Sequence, residues 1–289
     1  VTAARIFIGC AIHSAFLGFQ LTDCFAIIIK EEFSMTLANK KVAVVTGGAM
    51  GIGAEAAHTL ATDGHHVIIC DINTTEAENF AQQLRDQGLS ADAFQMDVSD
   101  AASVSAAFNW IETEFGRCDV LVNSAGIAKT MPFLDFDADV FNRTMLINVT
   151  GTFLCCQLAA RIMRKHEFGR IINIASVAGM RAVGKGRTAY GTSKGAVIAL
   201  TRQMAVELSE YGITANAIAP GPVDTPMTKE LHSDEFRKAY SSAIPAKRYG
   251  TTREIAGAVS YLASDVAAYV NGIVLPVDGG FLAWGAGNI

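Results

Sequence analysis

At 289 residues, 51% hydrophobic and 18% charged, with a formal net charge of −5, the chain has the make-up of one globular domain with a sizeable core. The mild acidity, with no basic run and no aromatic-interleaved basic patch, speaks against nucleic acid as a partner. Six cysteines without CxxC spacing (Cys10, Cys24, Cys70, Cys118, Cys155, Cys156) read as buried free thiols of a reducing compartment, and the six histidines form no ligand set, so no metal is expected.

Residues 1–34 differ from the rest. Ile6 to Ile29 is nearly all apolar, flanked by Arg5 and by Lys30-Glu31-Glu32, and long enough to span a bilayer. His13, Gln20 and Asp23 sit inside it, and a central aspartate is costly in lipid. A membrane anchor, a cleaved signal and a segment upstream of a start at Met35 are the competing readings. The dispensable upstream segment is favoured, which makes residues 35–289 the folded domain.

The first strong pattern is Val42-Ala-Val-Val-Thr46, a β-branched run that breaks into Gly47-Gly-Ala-Met-Gly51-Ile-Gly53 and then a helix-period segment (Ile52, Ala56, Leu60). Glycines let backbone N–H groups approach a ligand, and the following helix N-terminus attracts anionic oxygens, as a pyrophosphate requires. Asp71 ends the next strand about twenty residues on, where a carboxylate can hydrogen-bond an adenosine ribose.

Further along, the chain alternates regularly. A helix Thr74–Gln87 is followed by a strand Asp92–Met96, ending in Asp97-Val98, and by a helix capped at Ser99 or Asp100 that stops at Gly116. Asp119–Gly126 is a buried strand ending in small residues, Asp137–Lys165 a long helix, Gly169–Ser176 a strand, and Ala189–Tyr211 a helix striped by Val197, Leu200, Met204 and Leu208. Ile213–Ile218, a rigid loop Pro220–Pro226, a mixed segment to Arg248, a helix Arg253–Ala263 and a strand Ile273–Val277 complete the pattern. Near-continuous apolar strands alternating with helices predict an α/β fold: a single-domain, doubly wound parallel sheet, Rossmann-like, with helices on both faces. Ligands of such sheets bind at the carboxyl ends of the strands. Those ends are Thr46, Asp71, Asp97, Asn123, Ser176 and Pro220, and they are disproportionately polar or small.

Fourteen positions after Ser176 comes Tyr190-Gly-Thr-Ser-Lys194. Residues four apart share a helix face. An ammonium ~4 Å from a phenol stabilises the phenolate by roughly 4 kcal/mol at an effective dielectric near 20, about three pK units. Such a tyrosine can exchange a proton with an alcohol or carbonyl oxygen, which a nearby serine can hold.

With these residues in view, Thr46-Gly-Gly-Ala-Met-Gly51-Ile-Gly53 resembles the TGxxxGxG loop of the short-chain dehydrogenase/reductase family. Asn123-Ser-Ala-Gly126 is similar to its NNAG motif, with Ser124 in place of the second Asn. Asn148, Ser176, Tyr190 and Lys194 match its catalytic tetrad and Pro220-Gly221 its PG motif, and the resemblance runs from Met35 to about Gly280. It implies Tyr190 as general acid/base, and Lys194 as the group that lowers its pKa and holds the nicotinamide ribose. It further implies Ser176 on the substrate oxygen and Asn148 keeping a water that links Lys194 to solvent. Asp97, with Val98, would meet the adenine, and Val223 and Thr225 would flank the carboxamide. Gly47, Met50, Gly51, Ile52, Gly53, Asp71, Ile72, Asn123, Ala125 and Gly126 complete the implied dinucleotide site. Family members are usually homotetramers, in which the two long helices would pair with one subunit and the last strand with another.

Charge decides the expected cofactor. Asp71 would bond a ribose 2′-OH and repel a 2′-phosphate, and Ala49, Met50, Ile72 and Asn73 offer no cation, so NAD is expected over NADP. The leading expectation is a cytoplasmic NAD-dependent enzyme interconverting a secondary alcohol (polyol, sugar or hydroxy compound) and its ketone. The alternatives are a 3-oxoacyl-(acyl-carrier-protein) reductase, a non-catalytic nucleotide sensor and a membrane-tethered enzyme. Met227 to about Arg248 should roof the substrate pocket and Val177 to Arg187 should wall it. Arg181, Lys185 and Arg187 crowd that wall; one could take an anionic substrate group, although a solvated basic loop is the expectation.

Overall fold

A computed structural model describes residues 40–284. The expectations for residues 1–34 lie outside the described residues.

Seven parallel strands form one sheet in the order β3-β2-β1-β4-β5-β6-β7. The strands are β1 (Val42–Thr46), β2 (His66–Asp71), β3 (Ala91–Gln95), β4 (Val120–Asn123), β5 (Gly169–Ile174), β6 (Ile213–Pro220) and β7 (Val274–Val277). Side chains alternate between the faces of a strand, so each apolar run feeds two cores. Val44, Ile68, Leu121 and Ile171 meet helices α3 (Ala101–Phe115), α5 (Thr152–Arg164) and α6 (Thr188–Leu208) on one face. Their neighbours Val45, Ile69, Val122 and Ile172 meet α1 (Gly51–Thr62), α2 (Thr74–Asp86) and α9 (Thr252–Ala263) on the other. The doubly wound parallel sheet predicted from strand composition is therefore the observed fold.

Cys70, Cys118, Cys155 and Cys156 are free and buried, as expected, and burial raises all four thiol pKa values. Among the described residues no group of three or more His, Cys, Asp or Glu side chains is placed to hold a metal ion.

The strand order reverses between β1 and β4, and the loops leaving these two strands face each other there. A Cβ on Gly47 would lie 2.7 Å from the Ala125 Cα, so only glycine permits this approach. The crevice that results is the ligand site of doubly wound sheets.

Three departures from the sequence reading have local causes. β3 begins one residue earlier than predicted, in register with β2 through Val67↔Ala91. The long helix is Ala138–Arg164, and it is the one helix among the described residues long and apolar enough to cross a membrane. Its apolar face packs on the sheet through Cys155, Cys156, Ala159 and Met163. It is not uniform: α4 (Ala138–Met145) passes through a π-turn at Leu146–Gly151 before α5. The mixed segment contains two short helices, α7 (Pro226–Leu231), opened by a capping box at Thr225, and α8 (Asp234–Ser242), capped by Ser233.

Candidate active site

The loop after β1 is built for close approach. Gly47 and Gly51 have φ of +62° and +59°, and a Cβ on Gly53 would stand 2.0 Å from the Gly47 carbonyl oxygen. This packs the start of α1 against the loop and leaves its first N–H groups facing the crevice. At the end of β2, Asp71 accepts the Ala49 N–H at 3.1 Å and the Asn73 N–H at 3.0 Å. Its carboxylate is thereby fixed at the rim beside the loop. The Asp97 carboxylate accepts the hydroxyl and backbone N–H of Ser99 at 2.6 and 2.8 Å. The Ser99 hydroxyl foremost, with its N–H and the Arg143 charge, holds this carboxyl below the usual range against its desolvation.

The proton-handling groups converge at the ends of β5 and α6. Ser176 is buried and accepts the Ala178 N–H at 3.1 Å. It lines the same cleft as Tyr190. Lys194 is 6% exposed; its ammonium donates to the Ile174 carbonyl at 2.7 Å and lies 5.8 Å from the Tyr190 ring centroid. Burial pulls the Lys194 pKa down to about 8. The expected lowering of Tyr190 by Lys194 is not what this geometry gives. Burial raises the phenol pKa, opposed by the nearby Ser176 hydroxyl and by the charge of Arg187. The four-residue spacing does place lysine and tyrosine side by side, but the ammonium seats on the strand-end carbonyl of Ile174.

Asn148 lies in the π-turn, 1% exposed. Its carboxamide accepts the Ile127 N–H at 2.9 Å and donates to the Ile127 carbonyl at 2.9 Å and to Ser193 Oγ at 3.0 Å. Both amide hydrogens are used, so this side chain pins the loop after β4 to α6. Its oxygen would also lie 3.1 Å from a Cβ on Gly126, with the Lys194 ammonium 3.7 Å from the same point.

A cleft of about 550 Å³ joins these parts. It is lined by Gly47, Met50, Gly51, Ile52, Asp71, Ile72, Asp97, Val98, Ala125, Gly126, Ser176, Tyr190, Lys194, Pro220, Gly221, Val223 and Thr225, all expected from the sequence. Three expected residues do not line it. Gly53 is buried beneath the loop, and Asn148 acts from behind Gly126. Asn123 sits below the cleft floor, and its side chain donates to Asn173 Oδ1 at 2.9 Å and to Cys156 Sγ at 3.1 Å. Its partner is the residue in register on β5, so the amide turns into the sheet. The cleft also contains Thr228, within the expected roof, and Arg143 and Ile147, which the sequence reading missed. Arg143 and Ile147 belong to the helix that carries Asn148, and that helix face was the available signal.

The glycine cradle, the rim carboxylate and the apolar walls fit a dinucleotide. Asp71 and the first turn of α1 would hold its ribose and phosphates, and Lys194 and Thr225 its nicotinamide half.

Comparison with known proteins agrees with this geometry. A family model described as enoyl-(acyl carrier protein) reductase matches residues 47–282. The 5-keto-D-gluconate 5-reductase of Escherichia coli strain K12 is 40% identical over 249 residues, covering 86% of this chain and 97% of that protein. The 3-oxoacyl-(acyl-carrier-protein) reductase MabA of Mycobacterium bovis is 39% identical over 239 residues, 82% of this chain and 91% of the other. Among solved structures, a gluconate 5-dehydrogenase from Burkholderia cenocepacia in complex with NADP and tartrate superposes with a TM-score of 0.82 at 36% identity, covering 85% of this chain and 96% of that one.

Proposed function

The chain belongs to the short-chain dehydrogenase/reductase family, an NAD(P)-dependent oxidoreductase of CH–OH groups, and on that premise we propose that it is a cytoplasmic, homotetrameric NAD-dependent dehydrogenase of polyols, sugars or related hydroxy compounds. The observation that carries this reading is the meeting of Ser176, Tyr190 and Lys194 at the inner end of a dinucleotide-sized cleft.

A nicotinamide cofactor held by Asp71, the first turn of α1 and Lys194 would supply the hydride chemistry between carbinol and ketone. Ser176 holds the substrate oxygen. The Tyr190 phenol oxygen takes the alcohol proton during oxidation and gives it back during reduction. Lys194, seated on the Ile174 carbonyl, would hold the ribose hydroxyls of the nicotinamide half. Asn148 holds the loop after β4 and the α6 backbone at a fixed distance, which keeps Lys194 registered against Ile174.

NAD is favoured because Asp71, anchored by two backbone N–H groups, has no cationic partner among the described residues. A 2′-phosphate placed there would meet an uncompensated carboxylate. The same feature counts against the thioester-reductase alternative, whose biosynthetic chemistry in this family usually accompanies NADPH. Steady-state kinetics with both cofactors test the reading: kcat/KM should favour NAD, and Asp71→Ala should relax the preference. An unmodified protein that prefers NADP would contradict it.

Tetramer formation is supported by half-exposed Phe153 on α5, exposed Val206 on α6, and the position of β7 at a sheet edge, which leaves backbone groups open to pairing.

A further inference from the structure

Ser176 and Tyr190 also face a second, smaller cavity of about 80 Å³, lined by Met227 and Leu231 of α7, by His232 just after it and by Tyr240 of α8. The cation in its wall is Arg187, three residues before Tyr190. The Arg187 guanidinium donates to His232 Nε2 at 2.8 Å. Arginine has only donors, so Nε2 is the acceptor. The proton of this imidazole therefore sits on Nδ1, which donates to the Tyr249 hydroxyl at 3.0 Å. His232 is 8% exposed, and burial with the charges of Arg187 and Arg237 brings its pKa down to about 4. A neutral histidine thus orients the guanidinium without neutralising it.

The neighbouring cations are differently placed. Arg237 ion-pairs with Asp224 and lies 4.3 Å from the Tyr249 ring centroid. Arg181 lies over the Phe281 ring and Lys185 is exposed, as a solvated basic loop should be. Arg187 departs from that expectation. It is half-buried, and among the described residues no carboxylate lies within ion-pair distance of it. None of its nitrogens is a buried atom lacking a partner, so the donors not given to His232 face open space. An unpaired, partly desolvated guanidinium is a standing cost that a bound anion offsets, and its planar fork matches a carboxylate.

We propose that Arg187 anchors a carboxylate of the substrate, so that the physiological substrate is a hydroxy acid whose reacting hydroxyl lies at Ser176 and Tyr190. This rests on the alcohol-dehydrogenase reading above and narrows it from polyols in general to their acids. His232 is a positioning residue for the anchor.

The test compares acids with neutral twins that carry a hydroxymethyl or methyl group in place of the carboxylate: D-gluconate with D-glucitol, D-threonate with D-threitol, and 3-hydroxybutyrate with 2-butanol. Initial rates are measured for the unmodified protein, Arg187→Lys and Arg187→Met at one pH. The acid-to-neutral ratio of kcat/KM cancels any influence of Arg187 on Tyr190 or on the cofactor. NADH binding, followed by fluorescence, reports that each variant is folded. The unmodified protein should favour the acid of at least one pair. In Arg187→Met that ratio should fall by about 10- to 100-fold, the worth of a hydrogen bond to a charged group, mainly through KM for the acid, and Arg187→Lys should keep part of it. Preference for the neutral twins, or a ratio that Arg187→Met leaves unchanged, overturns the anchor and leaves the dehydrogenase reading standing. Turnover of no member of the panel overturns that reading, and the anchor with it.

Discussion

Lys194 is the residue on which stability and function oppose each other. A lysine whose pKa falls to about 8 binds fewer protons folded than unfolded between pH 8 and its ordinary 10.4. Stability should therefore rise with pH across that window, and below it the buried charge is a fixed cost. Lys194→Met should accordingly be more stable than the parent near pH 7 by about 2 kcal/mol, after the lost Ile174 hydrogen bond is discounted, while its affinity for NADH falls. Chemical denaturation beside fluorescence titration checks both halves, and a destabilised variant would contradict the assignment. For Tyr190, burial raises the phenol pKa, so in the cofactor-free protein it should titrate above 10 in tyrosine-labelled NMR spectra. A midpoint near neutrality would mean that Lys194 governs it after all. The four-residue spacing made both side chains legible as a pair. The seat of the ammonium was not legible, because it depends on which strand-end carbonyl lies within reach once β5 and α6 have packed.

At the scale of elements, the glycine loop and the π-turn carry the site. A Cβ at Gly53 meets backbone 2.0 Å away, which no rotamer change relieves. Gly53→Ala should cost about 1–3 kcal/mol of stability and weaken NADH binding at least ten-fold; unchanged binding would show that the loop can shift freely. Asn148→Ala strips partners from the Ile127 backbone and from Ser193. It should cost about 1–3 kcal/mol in denaturant melts and lower turnover, because α6 loses its tie to the loop after β4. The loop announced itself through glycine spacing, and the long helix through its apolar stripe. The π-turn did not, since one extra residue in a turn barely disturbs a 3.6-residue periodicity, although such turns recur at functional sites. The helices at 226–242 were hidden for a different reason. They are short, expose polar faces, and are set by caps at Thr225 and Ser233 rather than by a buried stripe.

For the whole molecule, the sheet was the most legible feature, because strands covered on both faces must be apolar throughout and that pattern has few other uses. The Asn123–Asn173 pair shows a second use for a polar strand-end residue that the sequence did not signal: its side chain serves the sheet's own hydrogen bonding. Since β1 starts at Val42 and the described sheet draws all its strands from residues beyond it, a chain beginning at Met35 should melt within a few degrees of the full chain and bind NADH equally. Aggregation of the shorter chain alone would make residues 1–34 structural. The central claim, that this cleft oxidises alcohols through Tyr190, is tested most directly by NADH production from a panel of polyols and hydroxy acids, comparing the unmodified protein with Tyr190→Phe at saturating NAD⁺. The account predicts measurable turnover for the former and a loss of roughly 10²–10⁴-fold for the latter, the usual contribution of a general acid–base group, with NADH affinity nearly unchanged. A Tyr190→Phe protein that produced NADH at a near-normal rate would contradict it.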